Sequence, residues 1–92
     1  MELRHLRTFL ALSEELHFGR TADRLGMTQT AVSRQIAALE QHLGVQLIRR
    51  RPSPVLTDAG RLLAARVPPV LQAVDAAVRG ARRVGRAGGE SD

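Results

Sequence analysis

Four polar side chains crowd one short segment of the chain. Gln29, Thr30, Ser33 and Arg34 lie in "TQTAVSRQIAALEQHLG", the stretch from Thr28 to Gly44. Gln can pair with the edge of adenine, Arg with guanine, and Ser or Thr with several bases, so these types suit the reading of nucleic acid. The segment has helical periodicity: at about 100° per residue, Val32, Ile36, Leu39 and Leu43 share an arc of about 60°. Gln29, Thr30, Ser33, Arg34 and the small Ala37 occupy a neighbouring polar arc, which leaves them free while the first face packs. Thr28 precedes the helix and can accept from its unpaired N–H groups, and that end favours a phosphate. A polar face is also the ordinary dress of a surface helix, so the flanking sequence has to decide.

The flank supplies a second chemistry. In "VQLIRRRPSPVLT", Val45 and Leu47 alternate inward, Arg49, Arg50 and Arg51 follow, and Pro52-Ser53-Pro54 makes a stiff turn before Val55 and Leu56. This predicts a short two-stranded wing whose tip is set by fixed proline angles, with arginines placed for phosphates or a narrow minor groove. The competing reading is a solvated basic loop. Catalysis finds no support. His5, His17 and His42 are scattered, and no paired-carboxylate spacing, Gly-rich phosphate loop or nucleophile elbow is present. The chain has no cysteine, which rules out disulfides and thiolate metal sites. No cofactor and no metal are expected.

Those side chains need elements to hold them. Residues 2 to 16 read as an amphipathic helix with Leu3, Leu6, Phe9, Leu10, Ser13 and Leu16 at steps of three and four. A short helix follows over about 19 to 25, with Phe18 as apolar anchor, Gly19 at its start and Gly26 as its stop. The third helix runs from about 28 to 43 and stops at Gly44. Two helices joined by a tight Gly-containing turn make a helix-turn-helix, whose second helix can enter a major groove.

A last helix is expected from Asp58 to about Val84 with Thr57 as its cap. Leu63, Val67, Val70, Val74, Ala77, Ala81 and Val84 follow heptad steps, a pairing seam. Unbroken, that helix is about 40 Å long, more than one small domain can cover, so a second copy is expected on it. Pro68 and Pro69 each cost about 3 kcal/mol in a helix interior, which predicts a kink or a restart. The tail "GRAGGESD" reads as a linker.

The fold expected is mainly α: a winged helix-turn-helix at 1–57, a linker or dimerisation helix at 58–84, and a flexible tail at 85–92. Ninety-two residues with 43% hydrophobic content suit one small domain. Fourteen basic residues, all Arg, against nine acidic ones give +5. An Arg-rich balance leans towards nucleic acid, although a GC-rich genome also produces Arg in place of Lys. No apolar run approaches a membrane span and the N-terminus has no signal-peptide pattern, so a soluble cytoplasmic protein is expected.

The order helix, helix-turn-helix, Arg-rich wing and long helix resembles the N-terminal DNA-binding domain of LysR-type transcriptional regulators. The resemblance covers residues 1 to about 80. It rests on "LRHLRTFLALSEELHFGRTADRLGMTQTAVSRQIAALEQHLGVQLIRRR" followed by "LTDAG". It implies that the second helix of the motif reads the major groove, the wing meets the minor groove, and linker helices pair two copies. By motif position it implies Gln29, Thr30, Ser33 and Arg34 at base edges or nearby phosphates and Arg50 and Arg51 at the wing, to which the reading of the residues adds Thr28 and Arg49 as DNA contacts. Leu63, Val67, Val70, Val74, Ala77 and Ala81 fall on the pairing helix. The chain departs from the family pattern at Gly19, where Ser or Thr is common as a cap, at Thr21, where Ala is common, and at Thr30-Ala31, where Pro is common. The proline pair is a further departure.

The implied partners are double-stranded DNA, an operator with an interrupted inverted repeat, and a second copy of the chain. A small-molecule effector would act only through a C-terminal domain that the chain does not contain, which suggests an excised domain or a truncated product. The rival reading is a winged helix used as an interaction module, with the seam as its working surface. Salt separates the two, since phosphate binding falls steeply with ionic strength and heptad pairing does not. A third reading lays the Arg-bearing last helix on a membrane surface, but Trp and Tyr are absent and both Phe lie elsewhere.

Overall fold

The computed structural model describes residues 1–88. Its elements run α1 (Leu3–Glu15), α2 (Phe18–Leu25), α3 (Gln29–Leu43), β1 (Ile48–Arg49), β2 (Val55–Leu56) and α4 (Asp58–Gly88). This is the winged helix-turn-helix with a long final helix expected from the sequence.

α1 is the central helix, packing on α2, α3 and α4. Leu6 and Phe9 are buried as the spacing predicts, but so are Thr8, Ala11 and Leu12, while Leu3 and Leu16 are exposed. The stripe is wider than one seam because α1 has neighbours on two sides. Leu16 ends α1 in the left-handed region at φ 48°, and its N–H donates to the Leu12 carbonyl at 2.7 Å.

α2 begins one residue earlier than expected. Its cap is His17, whose Nδ1 accepts from the Arg20 N–H at 2.9 Å, so Gly19 lies inside the first turn and caps nothing. Gly26 at φ 65° stops α2. Thr28 then caps α3, its Oγ1 accepting from the Ala31 N–H at 3.0 Å, and α3 ends against Gly44 at φ 73°. Val32, Ile36 and Leu39 are fully buried, whereas Leu43, beyond the reach of α1, is 38% exposed. A hydrogen bond from Thr8 Oγ1 to Gln35 Oε1, 2.6 Å, fixes the rotation of α3 on α1.

The wing is shorter than drawn from sequence: Ile48 pairs with Leu56 and Arg49 with Val55, antiparallel. Val45 is 47% exposed, contrary to the expected inward alternation, because the chain is still leaving the Gly44 turn there. What holds the approach to β1 is Glu40. Its Oε2 accepts from the N–H groups of Leu47 at 2.7 Å and Ile48 at 3.2 Å, which places both side chains in the core.

Thr57 caps α4, its Oγ1 accepting from the Gly60 N–H at 3.0 Å and donating to the Gln46 carbonyl at 2.6 Å. α4 continues through Pro68 and Pro69 to Gly88, so the expected restart does not occur and the helix outlasts Val84. Pro69 and Ala65 are exposed, and water can serve the Ala65 carbonyl that the second proline leaves without its helical donor. Arg7 and Asp75 clamp α4 to α1 through two contacts of 2.9 and 3.5 Å. Hydrogen bonding to Arg7 holds the Asp75 carboxyl below the usual carboxylate range. The last buried residue of α4 is Leu71, and past the clamp at Asp75 the helix projects, giving the molecule a length of 55 Å against widths of 25 and 20 Å. Residues 89–92 of the predicted tail lie outside the described residues. No helix among the described residues is long and apolar enough to cross a membrane.

Candidate nucleic-acid interface

Because Val32, Ile36 and Leu39 turn one face of α3 into the core, the opposite face is presented outward. Gln29, Thr30 and Arg34 are exposed there and Ser33 is half-buried. The wing stands beside them. Gln29, Thr30, Ser33, Arg34 and Ala37 line one open cleft of about 590 Å³ together with Arg50, Arg51, Pro52 and Phe18.

Two of the predicted contact residues stand apart from the cleft. Thr28 is occupied as the cap of α3, and its contribution is to aim the first N–H groups of that helix. Arg49, on β1, lines a different depression with Gln46, Val55 and Thr57. Of the three arginines only Arg49 belongs to the strand; Arg50 and Arg51 follow it in the turn and both line the cleft.

Arg50 differs from its neighbours. Its Nη1 donates to Ser33 Oγ at 2.6 Å, and its guanidinium carbon lies 4.8 Å from the centroid of the Phe18 ring. The wing is thereby latched to α3. Arg34 and Arg51, by contrast, are exposed and make no hydrogen bond or ion pair to a protein side chain among the described residues. The arginines of α2 are engaged: Arg24 contacts Glu14 at 2.7 Å and Glu15 at 3.2 Å, and Arg20 reaches Glu15 at 3.6 Å. The hydrogen bonds that Arg24 donates to those two carboxylates, first to Glu14 and then to Glu15, raise its pKa above the ordinary value. Arg34 and Arg51 thus bring to the cleft positive charge without a protein counter-ion among the described residues.

The sequence pattern described as "Bacterial regulatory helix-turn-helix protein, lysR family" matches residues 3–61. The chain belongs to that family. As a LysR-type helix-turn-helix DNA-binding domain, it is 48% identical over 85 residues to the uncharacterized HTH-type transcriptional regulator YnfL of Escherichia coli (strain K12). That match covers 91% of this chain and 29% of the relative. The structure of the BenM DNA-binding domain in complex with catB site 1 DNA superposes with a TM-score of 0.86 at 40% identity, covering 92% of this chain and 96% of that one. The CbnR DNA-binding domain–DNA complex gives a TM-score of 0.85 at 31% identity, covering 92% and 99%. The relatives are named as transcriptional regulators, in keeping with the lack of a catalytic constellation in the sequence.

The expected pairing seam is redistributed in this LysR-type domain. Val67 is in the core, whereas Leu63, packed against it, is half-buried and lines an open apolar groove with Leu43, Val45 and Leu62. Val74 is half-buried, and Val70, Ala77 and Ala81 are exposed. In its first turns α4 packs on its own domain, with Val67 and Leu71 buried there. Leu62, which the pattern passed over, is 59% exposed. Phe18 and Pro52 were read as anchor and turn, and only the fold brings them to the cleft. Their spacing to Ser33 in sequence carries no signal of it.

Proposed function

We propose that residues 1–57 bind double-stranded DNA sequence-specifically, with α3 in the major groove and the wing along the adjacent backbone or minor groove. The observation that carries this reading is the single cleft joining Gln29, Thr30, Ser33 and Arg34 to Arg50 and Arg51. A base-reading helix and a phosphate-seeking wing are useful together only if one duplex can touch both. Thr28 supports the arrangement by leaving the first N–H groups of α3 directed at a phosphate. Arg49, on the other face of β1, contributes longer-range attraction at most. The DNA-bound structures of BenM and CbnR domains have the same fold, which supports the same docking here.

Residues 58–84 form, in this reading, the segment that pairs two copies, using Val70, Ala77 and Ala81 with Leu62 and Val84, while Val67 is taken up by the domain core. The chain spans about 29% of the length of YnfL, and control of transcription in the cytoplasm is part of the proposal. Selection of binders for the chain from a random duplex library, at near-physiological salt, tests it. An enriched interrupted inverted repeat is the expected result. Retention without enrichment reduces the claim to nonspecific binding, and no retention favours an interaction module.

A further inference from the structure

The geometry points to Phe18 as a positioning residue for DNA binding: its ring holds Arg50 across the mouth of the cleft, so that Arg50 meets the backbone as part of the reading surface. This rests on the DNA-binding reading above. Phe18 is the first residue of α2, half-buried and packed against the core, with its ring facing the cleft. The Arg50 guanidinium sits 4.8 Å from the ring centroid and donates through Nη1 to Ser33 Oγ at 2.6 Å. Three elements, α2, α3 and the wing, thus meet at one cation.

A guanidinium has five N–H donors in a planar fork, and Ser33 takes one of them. The remaining donors have no protein acceptor among the described residues, and the cleft is open on that side. A phosphate oxygen fits that vacancy in charge and in donor geometry. Arg51 is exposed and has no such restraint, so binding must order it. Arg50 is ordered beforehand, which lowers the conformational cost of contact. Its bond to Ser33 also ties the orientation of a base-facing hydroxyl to the position of the wing. Phe18 acts through Arg50 and need not touch DNA.

Phe18→Leu separates this role from packing, since leucine keeps an apolar side chain on the core and removes the ring's electrostatic face. Binding of the full chain to a labelled mixed-sequence duplex of a few helical turns is measured by fluorescence anisotropy. The set comprises wild type, Phe18→Leu, Phe18→Tyr, Arg50→Ala and the Phe18→Leu/Arg50→Ala pair. Phe18→Leu is expected to weaken binding about fivefold, Phe18→Tyr to leave it unchanged, and the pair to bind like Arg50→Ala alone. In the free chain, the ring-current shift of the Arg50 side-chain protons is expected in wild type and Phe18→Tyr and lost in Phe18→Leu. Equal losses from Phe18→Leu with and without Arg50 assign Phe18 to packing and overturn the proposal, as does a Phe18→Leu variant that binds like wild type. A wild-type chain that shows no salt-sensitive binding overturns the DNA reading and this role with it, while the ring-current shift still reports whether Phe18 holds Arg50.

Discussion

Arg34 and Arg24 carry the same group in different circumstances. Arg24 is drawn onto Glu14 and Glu15, and its charge closes the corner between α1 and α2. Arg34 stands exposed in the cleft with no carboxylate near it among the described residues. Its place in the second turn of α3 suits a bidentate contact to guanine. Arg34→Ala is therefore expected to lose about 1 to 3 kcal/mol on the selected duplex and to relax the preference at one base position. Competition binding with single-base variants of that duplex checks this. Equal loss on every sequence would move Arg34 to the phosphates. The residue types on α3 were legible without coordinates, because each polar group's direction follows from helical spacing. The division among the arginines at the wing was not, because it depends on where β1 ends and on how the turn after it carries Arg50 and Arg51 to the cleft.

At the scale of elements, the local signals were readable and the long-range ones were not. Thr28, Gly26 and Gly44 mark helix ends through bonds to residues three or four positions away, so sequence alone locates them. Glu40 reaches Leu47 and Ile48 across a turn, and Gly60 meets the Leu47 backbone from another element. Nothing in the periodicity records either contact. A Cβ on Gly60 would stand 2.0 Å from the Leu47 carbonyl oxygen, a backbone atom that itself accepts from the Thr57 N–H at 3.0 Å. Gly60→Ala must push α4 off β1, and a loss on the order of 3 kcal/mol or more is expected in urea unfolding despite alanine's better helix propensity. A stability equal to wild type would show that the two elements can separate freely. The clamp at the other end of the contact is electrostatic. Because Arg7 depresses the Asp75 carboxyl in the folded chain, its contribution is present above the ordinary carboxylate value of 3.8 and is lost as pH falls through the lower folded value. Both partners are exposed, so the effect is small and screened by salt. Wild type is expected to be slightly more stable than Asp75→Asn at neutral pH, with the two converging in strong acid; a difference that persists there would need another cause.

For the whole molecule, the arrangement of α1 decides what α4 can do. α1 packs on α3 with one side and on α4 with another, which sets the long helix apart from the reading surface and leaves it to other work. Thirty-one residues extend about 46 Å, more than the domain covers. Leu62, Val70, Ala73, Ala77 and Val84 fall within an arc of about 80°, and all are exposed. Arg79, Arg82, Arg83 and Arg86 take another side of the same helix, which leaves the apolar arc free of charge along its distal half. A second copy laid along that arc would bury it and set two α3 helices on a two-fold axis, the symmetry that an inverted repeat requires. Val70 is 52% exposed, so an aspartate there can be solvated in the single chain but not in a pair. Val70→Asp is expected to leave urea unfolding of the isolated domain close to wild type while shifting sedimentation to the monomer. Affinity for an inverted repeat should then fall towards that for a single half-site. Should Val70→Asp sediment as wild type does, the apolar arc is not the pairing surface, and α4 must meet its partner through another side.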